Sequence, residues 1–349
     1  MRLTFILLIV ALTGVSARAW AIEDNFDNRE QTFRLWNDCQ FDHSRENFVK
    51  APPAYLGIGA DATLGNKDKC EKNGAGKDEL GPSLIDVAAT LGKDCPTGDK
   101  NVHQRNELRR KKFPPASAGH WYSIRFRVEP YAGEEIPTCG SARWVIAQWK
   151  YNKVVKKAKW INKKPPPVND SPFLAQRFDN GVLHVTVEDG FCSCMIARAP
   201  GDPDKQIVPP AAYATSGELL PVDPVRCLNK QARECKPKNL KLYTKDPSLM
   251  VNLPDPKDPN EKPWVTMTYY VRGDGDKGTV FDVYAGEKFI VRAVGAKSAG
   301  WKFPNTIKFK FGQYRDRVKT GAYLMVDRIC VAESIEECDK NLKIIPLPK

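Results

Sequence analysis

Eight segments of the chain read as β-strands, most of them because apolar and polar residues alternate at every step, the period of a strand with one face in a core. They are residues 120–128, 143–151, 182–187, 264–272, 279–284, 288–294, 306–314 and 322–331. Turn chemistry separates many of them: Gly273-Asp274-Gly275-Asp276-Lys277-Gly278, Ala285-Gly286-Glu287 and Asp179-Asn180-Gly181. Glycine and asparagine at such points supply the backbone angles that tight reversals need. One short helix is expected at 83–91, and no strand–helix–strand alternation occurs. The expected architecture is all-β, two sheets packed face to face.

Two segments interrupt the pattern. Residues 153–167 form a lysine run ending in three prolines, read as a basic loop. Residues 195–263 are proline-rich and carry Cys227 and Cys235. A structureless loop of that length is unusual in a compact domain. They are therefore read as a disulfide-pinned insertion within a single domain spanning 22–349.

Residues 1–21 carry the marks of a secretory signal: Arg2, an apolar run from Leu3 to Leu12, and the cleavage pattern Ala19-Trp20-Ala21. The apolar run is too short to span a bilayer, so a secreted or periplasmic protein without a membrane partner is expected. Ten cysteines, an even number, fit an oxidising compartment and read as disulfides. Cys227/Cys235 and Cys330/Cys338 are plausible local bridges, with the connectivity open. Cys192-Ser193-Cys194 lacks a second ligand pair and the four histidines are scattered, so no metal or other cofactor is expected. Asp274-Gly275-Asp276 hints at structural calcium, but a hairpin turn explains it better. A formal charge of +12 favours polyanionic partners. Outside the cytoplasm an acidic polysaccharide is a more natural partner than nucleic acid.

Three strands carry polar groups that core packing does not explain. In 306–317, Phe309 and Phe311 point to one face, and Lys308, Lys310, Gly312 and Tyr314 to the other. Two ammonium groups, a gap without a side chain and a phenol suit a long, flat anionic ligand; taken alone, the segment is better read as a solvated strand face with a chance tyrosine. In 103–109, His103, Arg105, Glu107 and Arg109 share a face, so Glu107 can hold the arginines while their other donors stay open. In 144–151 both faces are apolar, as for a central strand, yet Gln148 and Lys150 lie side by side on one of them. Trp149 points the other way, into the core. Trp301 and Trp160 lie in loop-like contexts and are candidates for sugar stacking. In a regular strand Lys310 and Tyr314 are about 13 Å apart, serving separate sugar units unless Gly312 bulges the strand.

Taken in this order, the three motifs resemble those of the jelly-roll polysaccharide lyases: the alginate lyase type, the glucuronan lyases and the heparin lyase I type. Alginate lyases of that fold carry R-[ST]-E-L-R, Q-[IV]-H and Y-F-K-A-G-x-Y-N-Q. Arg105-Asn106-Glu107-Leu108-Arg109 matches the first with Asn for Ser/Thr. Gln148-Trp149-Lys150 matches the second except at its histidine, and Phe309-Lys310-Phe311-Gly312-Gln313-Tyr314 matches the third. The likeness covers about residues 100–332.

The resemblance implies a β-jelly roll (concanavalin A-like) and an exported, monomeric lyase that cleaves a uronate polysaccharide by β-elimination. Tyr314, Gln148, Arg105 and His103 are then the catalytic candidates. Lys310, Lys150, Arg109, Glu107, Lys308 and Trp301 are the substrate-binding candidates. Arg105 and Gln148 would neutralise the carboxylate beside C5, and Tyr314 would protonate the leaving oxygen. Lys150 stands where the family has histidine. His103 is the first candidate for the missing imidazole and His184 the second, which leaves the general base open. A non-catalytic acidic-glycan-binding module would keep the basic face and need neither Tyr314 nor Gln148. A glycoside hydrolase would need closely paired carboxylates, and no such strand is present.

Overall fold

Alternation is followed closely by the backbone. The computed structural model describes residues 22–24, 36–40, 48–49, 55–58, 103–110, 114–130, 144–152, 172–201, 218–229, 233–256, 264–274, 278–297, 306–316, 322–338 and 344. Residues 1–21, read as a signal, the helix expected at 83–91, the loop 153–167, Trp160 and Trp301 lie outside the described residues. The strands are β1 (Ile22–Asp24), β2 (Trp36–Gln40), β3 (Phe48–Val49), β4 (Tyr55–Ile58), β5 (His103–Arg110), β6 (His120–Pro130), β7 (Trp144–Asn152), β8 (Leu174–Arg177) and β9 (His184–Asp189). They continue as β10 (Cys192–Arg198), β11 (Leu220–Val222), β12 (Arg226–Leu228), β13 (Lys241–Thr244), β14 (Val265–Asp274), β15 (Gly278–Ala285), β16 (Lys288–Val294), β17 (Thr306–Asp316) and β18 (Ala322–Ala332).

All pairings are antiparallel, and they build two sheets of a jelly-roll sandwich. One sheet has the order β11-β13-β16-β15-β14-β6-β18-β4-β3, with β1 on β18; the other runs β12-β10-β9-β8-β7-β17-β5-β2. The inward residues interlock as aromatic pairs. Trp149 of β7 lies 5.5 Å from Tyr122 of β6, 4.8 Å from Tyr269 of β14 and 5.0 Å from Phe309 of β17, centroid to centroid. All four rings are fully buried, the arrangement in which aromatic contacts add to area burial. Tyr269 Oη donates to Gln176 Oε1 at 2.8 Å, tying β14 to β8 through the core.

The insertion departs from expectation in one respect. Its described strands belong to the sandwich: β12 extends the eight-stranded sheet on β10, while β13 and β11 extend the other sheet on β16. These strands are three or four residues long, too short to show a period. Cys227 and Cys235 do not bond to each other. Cys227 pairs with Cys194 and Cys235 with Cys192, so both clamps run to β10. The register explains it: Cys194 sits directly opposite Cys227 on the β10–β12 ladder, with Cα atoms 4.0 Å apart. The Cys330–Cys338 bridge is formed as expected.

Candidate active site

Strand β17 runs between β5 and β7, and its registers decide which side chains become neighbours. Tyr314 lies opposite Arg105 on β5 and Val145 on β7. Gly312 lies opposite Glu107, Lys310 opposite Arg109 and Gln148, and Lys308 opposite Lys150. Phe309, Phe311 and Trp149 fill the core on the other side. The residues expected to share an outer face therefore occupy adjoining rungs of three strands.

The centre of this face is a polar bridge. Gln148 Nε2 donates to Glu107 Oε1, and Lys310 Nζ lies 3.6 Å from Glu107 Oε2. Glu107, Gln148 and Lys310 are 1%, 1% and 4% exposed. Glu107 and Gln148 belong to strands on either side of β17, whose backbones are about 10 Å apart at a strand spacing near 4.8 Å. Their side chains meet only by leaning over β17, and the β17 residue opposite Glu107 is Gly312. A side chain there would stand between them. Gly312 also has φ of 133°, a conformation open to glycine. The β17–β7 register slips between Phe311 and Tyr314, so the strand irregularity considered from the sequence falls at Gly312. Glu107 was expected to hold the arginines, whose side chains lie outside the described residues; its carboxylate meets Gln148 and Lys310.

Tyr314 is half-buried on the rung beyond this bridge. Lys150 and Lys308 are half-buried as well, six β17 residues from Tyr314. At about 3.3 Å per residue that is roughly 20 Å, too far for Lys150 to exchange a proton at the sugar unit that Tyr314 addresses. His103, Arg105 and Arg109 are placed by the backbone of β5, with His103 opposite Asp316; their side chains lie outside the described residues. Trp301 does as well.

A second polar cluster lies on the same sheet, where sequence reasoning weighed only His184. Arg177 is opposite Val145, and His184 opposite Arg177, which continues the Arg105–Tyr314–Val145 rung onto β8 and β9. Asp179, in the short 3-10 turn after β8, accepts Trp144 N–H at 2.5 Å and lies 3.4 Å from His184 Nε2 and 3.6 Å from Arg177 Nη1. Burial acts to raise the Asp179 carboxyl, but the Arg177 guanidinium and the His184 and Trp144 hydrogen bonds outweigh it and hold it below the ordinary range. A depressed carboxyl contributes stability above its unfolded pKa of about 3.9, and that contribution is lost as pH falls through the folded value. Asp179→Ala should cost on the order of 2 kcal/mol at neutral pH, and the difference from the parent should shrink in strong acid. Urea unfolding of both proteins across pH measures it.

Among the described residues no group of three His, Cys, Asp or Glu side chains could hold a metal ion, and no helix is long and apolar enough to cross a membrane. No family model matches the chain, and no curated protein matches it. Similar solved structures include alginate lyase A1-II′, a member of polysaccharide lyase family-7, at 14% identity and TM-score 0.36, covering 82% of this chain and 83% of that one. The endo-β-1,4-glucuronan lyase from the fungus Trichoderma reesei is similar at 11% identity and TM-score 0.39, covering 71% of this chain and 82% of that one. The botulinum neurotoxin serotype C1 binding domain is similar at 9% identity and TM-score 0.33, covering 90% of this chain and 44% of that one. Likeness at this level carries no argument about chemistry.

Proposed function

We propose that this protein is an exported polysaccharide lyase that cleaves a uronic-acid-containing polymer by β-elimination on the outer face of the eight-stranded sheet. The observation that carries the reading is the bridge of Glu107, Gln148 and Lys310 over Gly312, set beside the Tyr314–Arg105 rung. A buried ion pair contributes little net stability compared with apolar residues of the same size, so its presence on a sheet face calls for another use. It fixes an amide and an ammonium group at defined positions.

In the reaction the C5–H bond breaks, its electron pair forms the C4=C5 double bond, and the C4–O bond breaks with the pair leaving on oxygen. The C5 proton becomes acidic enough only when the neighbouring carboxylate is neutralised, a task for Arg105 and the Gln148 amide. Tyr314 protonates the departing oxygen and, in a syn elimination, first takes the C5 proton as tyrosinate. Assigning both transfers to Tyr314 removes the need for an imidazole at position 150, and Lys150 with Lys308 would bind a neighbouring acidic unit. The substrate is an anionic polysaccharide, and the chain acts as a monomer.

Incubation with alginate, glucuronan, heparin and pectate tests the reading. At least one polymer should give a rising ultraviolet absorbance from the new double bond conjugated to its carboxylate. Flat traces with all four, alongside saturable binding to one, would assign the face to a glycan-binding module instead.

A further inference from the structure

The outward side of the ten-stranded sheet carries a cavity whose reading does not depend on the lyase proposal. On β6, alternation that sends Tyr122, Ile124 and Phe126 into the main core turns Trp121 outward. Trp121 is opposite Tyr270 on β14, Tyr270 opposite Asp282 on β15, and Asp282 opposite Arg292 on β16. Four strands thus contribute one continuous rung. Its aromatic end is tight, with Trp121 and Tyr270 centroids 5.2 Å apart. Its polar end is a bidentate pair: Arg292 Nε donates to Asp282 Oδ1 at 2.7 Å and Nη2 to Oδ2 at 2.9 Å.

Residues 333–336, in the loop closed by the Cys330–Cys338 bridge, complete a cavity of about 370 Å³ over this rung. Ile335 is buried in the small cluster with Trp121 and Tyr284, while Glu333 and Glu336 also line the cavity. In the lining, Gly119 has φ of 73°, and a Cβ there would collide with Tyr270 Oη. The volume falls at the small end of the roughly 300–1,000 Å³ typical of ligand pockets.

We propose that this cavity binds a neutral saccharide unit. Its formal charges nearly balance: Arg272 and Arg292 against Asp282, Glu333 and Glu336. An anionic sugar would face three carboxylates and a cation two guanidinium groups, and a wholly apolar ligand would desolvate the polar edge without replacing its hydrogen bonds. A pyranose ring has both required surfaces. Its C–H face suits Trp121, Tyr270 and Val280, and its hydroxyl edge suits the donors and acceptors of Arg272, Glu333 and Glu336. The site would let the protein hold a neutral stretch of glycan on one sheet while the basic face of the other sheet meets an acidic one.

The test uses the whole mature chain with methyl β-D-glucoside, methyl α-D-mannoside, methyl β-D-galactoside and cellobiose as probes, read by saturation-transfer NMR and calorimetry. At least one should saturate with a dissociation constant on the order of 1 mM or tighter, and added salt should leave it unchanged because no net charge is exchanged. Val280→Phe, which fills the cavity, should weaken that probe at least tenfold and leave any uronate-polymer binding intact. Glu336→Gln, on the exposed loop, should weaken it several-fold without touching the core and guards against a folding defect in the first variant. Failure of all four probes to bind at millimolar concentration overturns the inference. Binding that survives Val280→Phe in a folded protein overturns it as well, since the sugar would then sit elsewhere.

Discussion

Tyr314→Phe should lower turnover on the uronate polymer by about 10²–10⁴-fold, the usual worth of a positioned acid–base group, while polymer binding changes only a few-fold. The variant removes one hydroxyl and keeps the ring, so the register with Arg105 and Val145 is undisturbed. The asymmetry between rate and affinity separates an enzyme from a binding protein. In a binding module the same change would cost one hydrogen bond, about 0.5–1.5 kcal/mol of affinity, with no rate to lose. Steady-state kinetics and a binding titration on the same preparation decide between them. Full turnover by Tyr314→Phe would remove Tyr314 from the proposed chemistry.

Removing Glu107 should be the most damaging single change to the bridge. Glu107→Leu removes the carboxylate beside the Lys310 ammonium, 4% exposed, and the acceptor of Gln148 Nε2. Loss of one partner of a buried pair costs roughly 3–5 kcal/mol. Lys310→Leu alone should be similarly costly, because it removes the ammonium beside the buried Glu107 carboxylate. The double variant should recover most of the loss, since two apolar side chains at these sites leave no uncompensated charge. Gly312→Leu should act differently: both charges stay, but the side chain stands in the gap that Glu107 and Gln148 cross. Denaturant unfolding of the four variants gives the cycle, and strict additivity of Glu107→Leu and Lys310→Leu would contradict the pairing.

The sandwich was legible because its long strands alternate: the eight segments read from the sequence are β6, β7, β9 and β14–β18. Strands β11–β13 were not legible, since three or four residues cannot show a period and their pairing depends on distant partners. Of the two local bridges read as plausible, Cys330–Cys338 forms and Cys227–Cys235 does not, for a related reason. Nearness in sequence favoured Cys227 with Cys235, whereas the ladder places Cys227 opposite Cys194.

At the site, parity grouped Glu107, Gln148 and Lys310 on one face, where their side chains meet. Parity does not say who bonds to whom. The contact of Glu107 with Gln148 crosses an intervening strand and depends on a glycine in the middle, a relation that exists only once three strands are in register. Distance along the strand fits Lys150 to the substrate-binding role read from the sequence, since its rung with Lys308 is too far from Tyr314 to share its proton chemistry. Asp179 was hidden as one residue of a turn sequence, and only the fold brings Arg177, His184 and the Trp144 amide around it.

The central claim is that the glycosidic bond is broken by elimination at the Tyr314 face, and the mass spectrum of the products tests it most directly. Elimination adds no water across the bond. Fragments from a uronate polymer should therefore carry a new non-reducing end one water lighter than a hydrolysis product, and the signal should collapse in the Tyr314→Phe protein. Fragments with the full mass of water added, or an intact polymer that the protein binds and releases unchanged, would contradict the account.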